Sequence, residues 1–323
     1  MKTRLTDILG VQHPVMLAGM GGVSYAPLVA AVSEAGGFGC LGASTMSTER
    51  MVVEMADVRR ATDHPFGVDL LTAMPGDLVA QVERIIEGGA SVFVAGLGVP
   101  ADVVDLCHRH HLLVVNMCGK VEHARRALDA GCDVVVAQGT EAGGHTGLVA
   151  TMPLVPQIVD AVGAHIPVVA AGGIFDGRGL AAALALGADG VWVGTRFIAT
   201  PEARAVAGYK DALMRTREDG TTISRAFSGK TMRVVRNAYT TFYEENPAEL
   251  RPFPAQLGRS MDDGAFHLGG GEETPDVDPT RECYPTGQGV GAIQTLMPAA
   301  SVVHQLVTQA EQVLAGLGRP ADD

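Results

Sequence analysis

The chain has 323 residues, 47% of them hydrophobic, and a formal net charge of −12. That composition supports a large buried core, and the negative balance excludes a nucleic-acid surface, which needs clustered Lys and Arg to neutralise phosphates. Five cysteines without a Cys-x-x-Cys pair, an N-terminus without an apolar signal segment, and no apolar run of the roughly 18 residues that a membrane span needs together predict a reduced, cytoplasmic protein.

Short apolar runs rich in Val, Ile and Leu recur along the first two thirds of the chain, at residues 15–18, 38–42, 66–70, 92–95, 112–116, 134–137, 168–171 and 191–194. None alternates with polar residues, as expected of strands buried on both faces of a parallel sheet. Helical spacing fills residues 24–34, 75–87, 120–130 and 179–186, and each of these stretches is followed by Gly, the residue that best accepts the left-handed conformation past a helix end. Eight strands alternating with helices predict an α/β fold, a (β/α)₈ TIM barrel. A doubly wound open sheet is the rival arrangement.

In a barrel the working groups lie on loops at the C-terminal ends of the strands, and five such loops are unusual. After strand one comes Ala18-Gly19-Met20-Gly21-Gly22, either a tight turn or a close backbone approach to a flat ligand. After strand six comes Gln138-Gly-Thr-Glu141-Ala-Gly143-Gly144-His145-Thr-Gly147, which exposes backbone N–H groups and carries one His able to exchange a proton near neutral pH. After strands seven and eight come Ala171-Gly172-Gly173-Ile174 and Gly194-Thr195-Arg196-Phe197, at the position where barrels commonly bind phosphate. The helix starting near residues 176–179 is expected to turn its positive end toward the same anion. The fifth is Tyr284-Pro-Thr-Gly-Gln288-Gly289, either a turn into the last helix or a means of bringing Gln288 onto a cofactor.

Regularity ends after strand eight. Residues 207–285 are richer in charge, Gly and Pro, and are expected to form a small accessory region or lid over the site, inserted into a barrel made of 1–206 and 286–323. The last barrel helix is expected at about 291–315. Other clusters carry less. Cys107-His108-Arg109-His110-His111 falls on the wrong end of the barrel for catalysis, so no metal is expected. Met46, Met51 and Met55 fit helix packing, and neither a phosphate-binding Gly-x-x-x-x-Gly-Lys loop nor a dinucleotide Gly-x-Gly-x-x-Gly turn opens a helix.

With these residues assembled, the chain resembles the nitronate monooxygenase family, formerly 2-nitropropane dioxygenases, whose relatives include flavin-dependent enoyl-acyl-carrier-protein reductases. The likeness runs from His-Pro-Val-Met-Leu-Ala-Gly-Met to Gly287-Gln288, and the Gln-Gly-x-Glu-Ala-Gly-Gly-His-x-Gly string is its most specific part. The resemblance implies FMN at the barrel mouth. Its phosphate would lie against Gly172, Gly173, Gly194 and Thr195, and its ring against Ala18, Gly19, Met20, Gln138, Gly143 and Gly144, with Gln288 nearby and His145 as catalytic acid or base. One departure stands out: the family often has Gly-Val-Asn at the end of strand three, where this chain has Gly67-Val68-Asp69. An anionic Asp69 would favour oxidised flavin unless it is protonated or paired, and Lys120 is its candidate partner or a second phosphate contact.

The resemblance leaves two activities. A monooxygenase would oxidise alkyl nitronates with O₂; an ene reductase would use NAD(P)H to reduce an activated alkene such as an enoyl thioester, with His145 donating the proton. The first is favoured. A non-catalytic flavin or phosphate-ligand binder, and a nucleotide dehydrogenase barrel, are the remaining classes. The loop after strand six lacks the nucleophilic Cys of inosine-monophosphate-type enzymes. The partners are therefore a small-molecule substrate with O₂ or NAD(P)H, and homo-oligomerisation is compatible with such a chain.

Overall fold

A computed structural model describes residues 1–72 and 76–317. Eight strands run parallel: β1 (Val15–Leu17), β2 (Gly39–Gly42), β3 (Phe66–Leu70), β4 (Val92–Ala95), β5 (Leu113–Cys118), β6 (Val134–Gln138), β8 (Val168–Ala171) and β9 (Gly190–Val193), with β7 (Gly144–His145) a short strand in the loop after β6. Their order is β1-β9-β8-β6-β5-β4-β3-β2. The circle closes where Met16 bridges Phe38, through Phe38 N–H to the Val15 carbonyl at 2.9 Å and Leu17 N–H to the Phe38 carbonyl at 2.8 Å. The fold is thus a TIM barrel, as the run of doubly buried strands predicts.

Each strand splits its side chains between two cores. Met16, Phe38, Cys40, Val94, Val115 and Val136 fill the barrel interior. Leu17, Leu41, Val68 and Phe93 face outward into the larger core under the helices. At the N-terminal end, Leu5 and Leu9 of α1 (Arg4–Leu9) join the interior cluster as a plug. Asp189 pins that helix, accepting from Arg4 Nε at 3.0 Å while its backbone carbonyl accepts the Thr3 hydroxyl at 2.7 Å.

The outer ring comprises α2 (Ala26–Glu34), α3 (Thr48–Ala61), α4 (Leu78–Glu87), α5 (Ala101–Arg109), α6 (Val121–Asp129), α7 (Thr151–Val162) and α8 (Gly177–Ala185), followed by the short α9 (Thr195–Ile198). Gly36, Gly89, Gly131 and Gly187 after four of them take φ between 72° and 90°. The expected helix 75–87 begins at Leu78 with Asp77 as its cap, and Pro75 lies outside the described residues, as do 318–323 at the end of the barrel segment. Met51 and Met55 are buried on α3, which the sequence pattern had not delimited. The last helix, α13 (Ala299–Leu317), starts later than the expected 291, because residues 288–292 form a 3₁₀ turn instead. It completes the ring between α8 and α2. Of the His-rich run at 107–111, His108 ties α5 to the foot of β6 through Asp133 at 2.9 Å.

Residues 207–285 are more ordered than their composition implies. They hold α10 (Tyr209–Arg215), β10 (Thr221–Ser224), β11 (Met232–Val235), α11 (Ala238–Glu245) and α12 (Ala255–Asp262) around a small core that includes Phe227, Met232, Val234 and Tyr239. β10 and β11 form an antiparallel hairpin, and β7 from the barrel loop adds the third strand, with Met232 opposite His145 and Arg233 opposite Gly144. Among the described residues, no helix is long and apolar enough to cross a membrane.

Phe38 is fully buried at the barrel's closing seam. Phe38→Ala is expected to lower the unfolding free energy by about 3–5 kcal/mol, the usual cost of emptying a large aromatic site. Urea denaturation checks this, and a loss under about 1 kcal/mol would contradict the seam's assigned role.

Candidate active site

The C-terminal ends of the strands open into a cavity of about 1330 Å³. The loop after β1 brings Ala18, Gly19 and Met20 to its lining, β3 brings Asp69, the β5 end Lys120, and β6 with its loop Gln138, Gly143, Gly144 and His145. The loops after β8 and β9 add Gly172, Gly173, Gly194 and Thr195. The insertion supplies the outer wall, including Ser228, Lys230 and Phe253.

His145 is held from two sides. Gln138 Nε2 donates to the His145 carbonyl at 2.8 Å, and the ring's Nε2 lies 2.9 Å from the Ser228 hydroxyl. The flanking Thr146 N–H donates to the Thr231 carbonyl at 3.3 Å, and the Thr231 hydroxyl returns a bond to the Thr146 carbonyl at 3.1 Å. Arg233 Nε braces the start of the same loop through the Thr140 carbonyl at 2.9 Å. Among the described residues Nδ1 of His145 has no partner, so it is the ring nitrogen left for a ligand. Crowding by protein, helped by the Lys230 ammonium, lowers the His145 pKa below the ordinary 6.5, so the ring is neutral at pH 7. Ser228 has no signature in the sequence; only the folded insertion places it there.

Glu141 serves structure rather than chemistry. Its carboxylate accepts the Thr151 N–H at 2.6 Å, capping α7, and also takes the Thr151 hydroxyl. The loops after β8 and β9 leave backbone amides free. Gly172 and Gly173 have φ of 105° and 73°, a turn of backbone that L side chains resist. Among the described residues, the N–H groups of Gly172, Gly173, Gly194 and Thr195 have no hydrogen-bond partner. All four residues are half-buried and line one cavity, and bare amides at such a turn are the groups an anion pairs with. Thr195 Oγ1 accepts the Gly287 N–H at 2.9 Å, which still leaves its proton to donate. The α8 end does not contribute as expected: Asp176 caps the Arg178 and Gly179 amides, and Gln309 takes that of Gly177.

Two expectations need correction. Gln288 does not line the main cavity. Its backbone N–H is spent on the Glu141 carbonyl at 2.8 Å, and its exposed side chain lines a neighbouring groove of about 340 Å³, so Gly287 and Gly289 face the main cavity instead. Lys120 is not the partner of Asp69, because its ammonium pairs with Glu122 at 2.8 Å, two residues away on α6. Asp69 lies beneath Gly19, where an added Cβ would fall 2.2 Å from Asp69 Cβ; only Gly permits this approach. Burial raises the Asp69 carboxyl from 3.8 to about 8, so it is mainly protonated at pH 7. A neutral carboxyl donates one hydrogen bond, as an Asn amide does.

The sign of the resulting pH dependence follows. A carboxyl whose folded pKa is raised binds its proton more tightly when folded, so its burial costs nothing below pH 3.8 and progressively destabilises the fold up to about pH 8. Asp69→Asn is therefore expected to match the parent near pH 3.5 and to exceed it in stability at pH 8, as read by urea midpoints. Equal midpoints at pH 8 would show that Asp69 is not buried as a neutral acid.

Comparison with known proteins bears on the family and the fold. The sequence profile of the nitronate monooxygenase family matches residues 2–80 and 70–309. A probable nitronate monooxygenase of Staphylococcus saprophyticus is 31% identical, over 97% of this chain and 99% of its own. The (3aS,4S,5R,7aS)-5-hydroxy-7a-methyl-1-oxo-octahydro-1H-indene-4-carboxyl-CoA dehydrogenase of Mycobacterium tuberculosis is 39% identical, over 80% of this chain and 72% of its own. Among solved structures, FabK from Thermotoga maritima superposes with a TM-score of 0.88 at 32% identity, covering 98% of both chains. The chain is an oxidoreductase belonging to the nitronate monooxygenase family.

Proposed function

We propose that the cavity binds FMN and oxidises alkyl nitronates with O₂, with His145 as the proton-handling residue and residues 207–285 as the lid. One observation carries this reading. A neutral imidazole, fixed by Ser228 and, among the described residues, unpartnered at Nδ1, lines the same cavity as four residues with unpartnered amides. Those amides, at Gly172, Gly173, Gly194 and Thr195, suit a phosphomonoester. Ala18, Gly19, Met20, Gln138, Gly143 and Gly144 suit a flat ring, since the glycines let backbone lie against it. FMN, when bound, supplies a two-electron acceptor that the side chains themselves lack.

The protein's own contributions are then distinct. His145 Nδ1 takes a proton from a neutral nitroalkane when the ring proton is on Nε2, and donates a hydrogen bond to the nitronate anion when the ring proton is on Nδ1. Protonated Asp69 donates toward the ring site from below without adding negative charge there. The insertion wall, with Phe253 and Phe266, keeps water away from the reacting face.

The second reading, NAD(P)H-dependent reduction of an activated alkene, is favoured by size. The cavity exceeds the usual ligand-pocket range of about 300–1,000 Å³ and has room for a long acyl chain beside a cofactor. Anaerobic mixing of FMN-loaded protein separates the two. Bleaching of the flavin by propyl-2-nitronate but not by NADH or NADPH is expected; bleaching by nicotinamide alone supports the reductase. A chain that cannot be loaded with FMN contradicts both. His145→Ala is expected to slow turnover by about 10²–10⁴-fold while retaining FMN, the usual range for a lost acid–base group.

A further inference from the structure

The insertion places a second imidazole on the cavity. His267 Nδ1 lies 2.7 Å from Glu282 Oε2, and the His267 backbone N–H donates to Glu282 Oε1 at 3.0 Å, so both carboxylate oxygens clasp one residue. Glu282 is 1% exposed, His267 is partly open, and both line the same cavity as His145. Among the described residues, Nε2 of His267 has no hydrogen-bond partner and is not fully buried, on a residue that lines the cavity. A buried carboxylate clasping one imidazole is costly to build unless its orientation matters.

We propose that His267 and Glu282 form a second polar station of the cavity, at which Nε2 of His267 accepts a hydrogen bond from a hydroxyl group of the substrate. The clasp sets the chemistry. With Glu282 as carboxylate, an acceptor only, Nδ1 of His267 carries a proton, and in the ring that holds just that one proton Nε2 presents a lone pair. A lone pair selects a donor, which excludes ketone and ether oxygens and favours an alcohol. The walls around the station include Leu268 and Phe266, which suit an apolar body carrying that hydroxyl. His267 is the ligand-contacting group, and Glu282 is its positioning residue. The inference rests on the cavity being the active site, and it adds a hydroxyl on an apolar body to the substrate that site admits.

Substitution of Glu282 tests the tautomer directly. In Glu282→Gln the amide oxygen stays on the His267 backbone N–H, which forces the NH₂ group toward Nδ1. Nδ1 then becomes the acceptor and Nε2 gains the proton. The probes are 4-tert-butylcyclohexanol and 4-tert-butylcyclohexanone, titrated into FMN-loaded protein and read by flavin absorbance and the fluorescence of Trp192, the single tryptophan, which also lines the cavity. The parent is expected to bind the alcohol about 3- to 10-fold more tightly than the ketone, the worth of one net hydrogen bond. Glu282→Gln and His267→Ala are expected to erase that ratio, whereas a merely structural role would weaken both ligands alike. Imidazole ¹⁵N spectra, taken on chain with and without FMN, are expected to show Nδ1 protonated and Nε2 bare in the parent, and the reverse in Glu282→Gln. A protonated Nε2 in the parent, equal affinities, or binding of neither probe by the FMN-loaded chain overturns the inference. Failure to load FMN, with the expected spectra still seen, contradicts the proposed function and not the tautomer at His267.

Discussion

The pairing of β7 with β11 is the constraint on which the site depends. Two residues of a barrel loop, Gly144 and His145, become the third strand of the insertion's sheet, opposite Arg233 and Met232. Without that ladder, a loop of four glycines keeps only its bonds to the barrel side, such as Gln138 to the His145 carbonyl, against the large backbone entropy each Gly has to lose. With it, the loop's carbonyls and amides find partners in Thr231 and Arg233, and the imidazole finds Ser228. The barrel supplies the floor and the bare amides; the insertion supplies the fixed geometry.

Polar groups around the cavity follow one rule. Those that carry structure are fully engaged, as Glu141 is at the start of α7 and Asp176 at the start of α8. Those left without a partner among the described residues belong to residues that line the cavity: four backbone amides, one nitrogen on each of two histidines, and a carboxyl that burial keeps neutral. Polar groups without partners that share one cavity mark a place where ligand atoms complete the hydrogen bonding.

The barrel was legible because each of its strands is buried on both faces and therefore lacks polar alternation, and because Gly36, Gly89, Gly131 and Gly187 mark helix ends by a conformation other residues resist. The glycine loops were legible for a related reason, their backbone being the functional part. The rest was hidden by distance in sequence. A two-residue strand has no periodicity to detect, so β7 could not be seen, and with it the order within 207–285. Ser228 and the His267–Glu282 clasp are ordinary residues until folding joins them to the cavity. Lys120 looked like a partner for Asp69 because both lie at the C-terminal ends of barrel strands, but Glu122 lies closer and forms the cheaper, exposed pair. Gln288 was assigned by its motif, whereas the 3₁₀ turn at 288–292 rotates its side chain to the outer groove.

The central claim is that the insertion acts on the chemistry by fixing His145 through Ser228. A double-mutant cycle on single-turnover flavin bleaching tests it most directly, using Ser228→Ala, His145→Ala and the pair. The account predicts that Ser228→Ala slows the parent by about tenfold, the worth of roughly one hydrogen bond, and changes nothing further once His145 is gone. Equal losses in both backgrounds would contradict it, because Ser228 would then act on the site by a route that does not pass through His145.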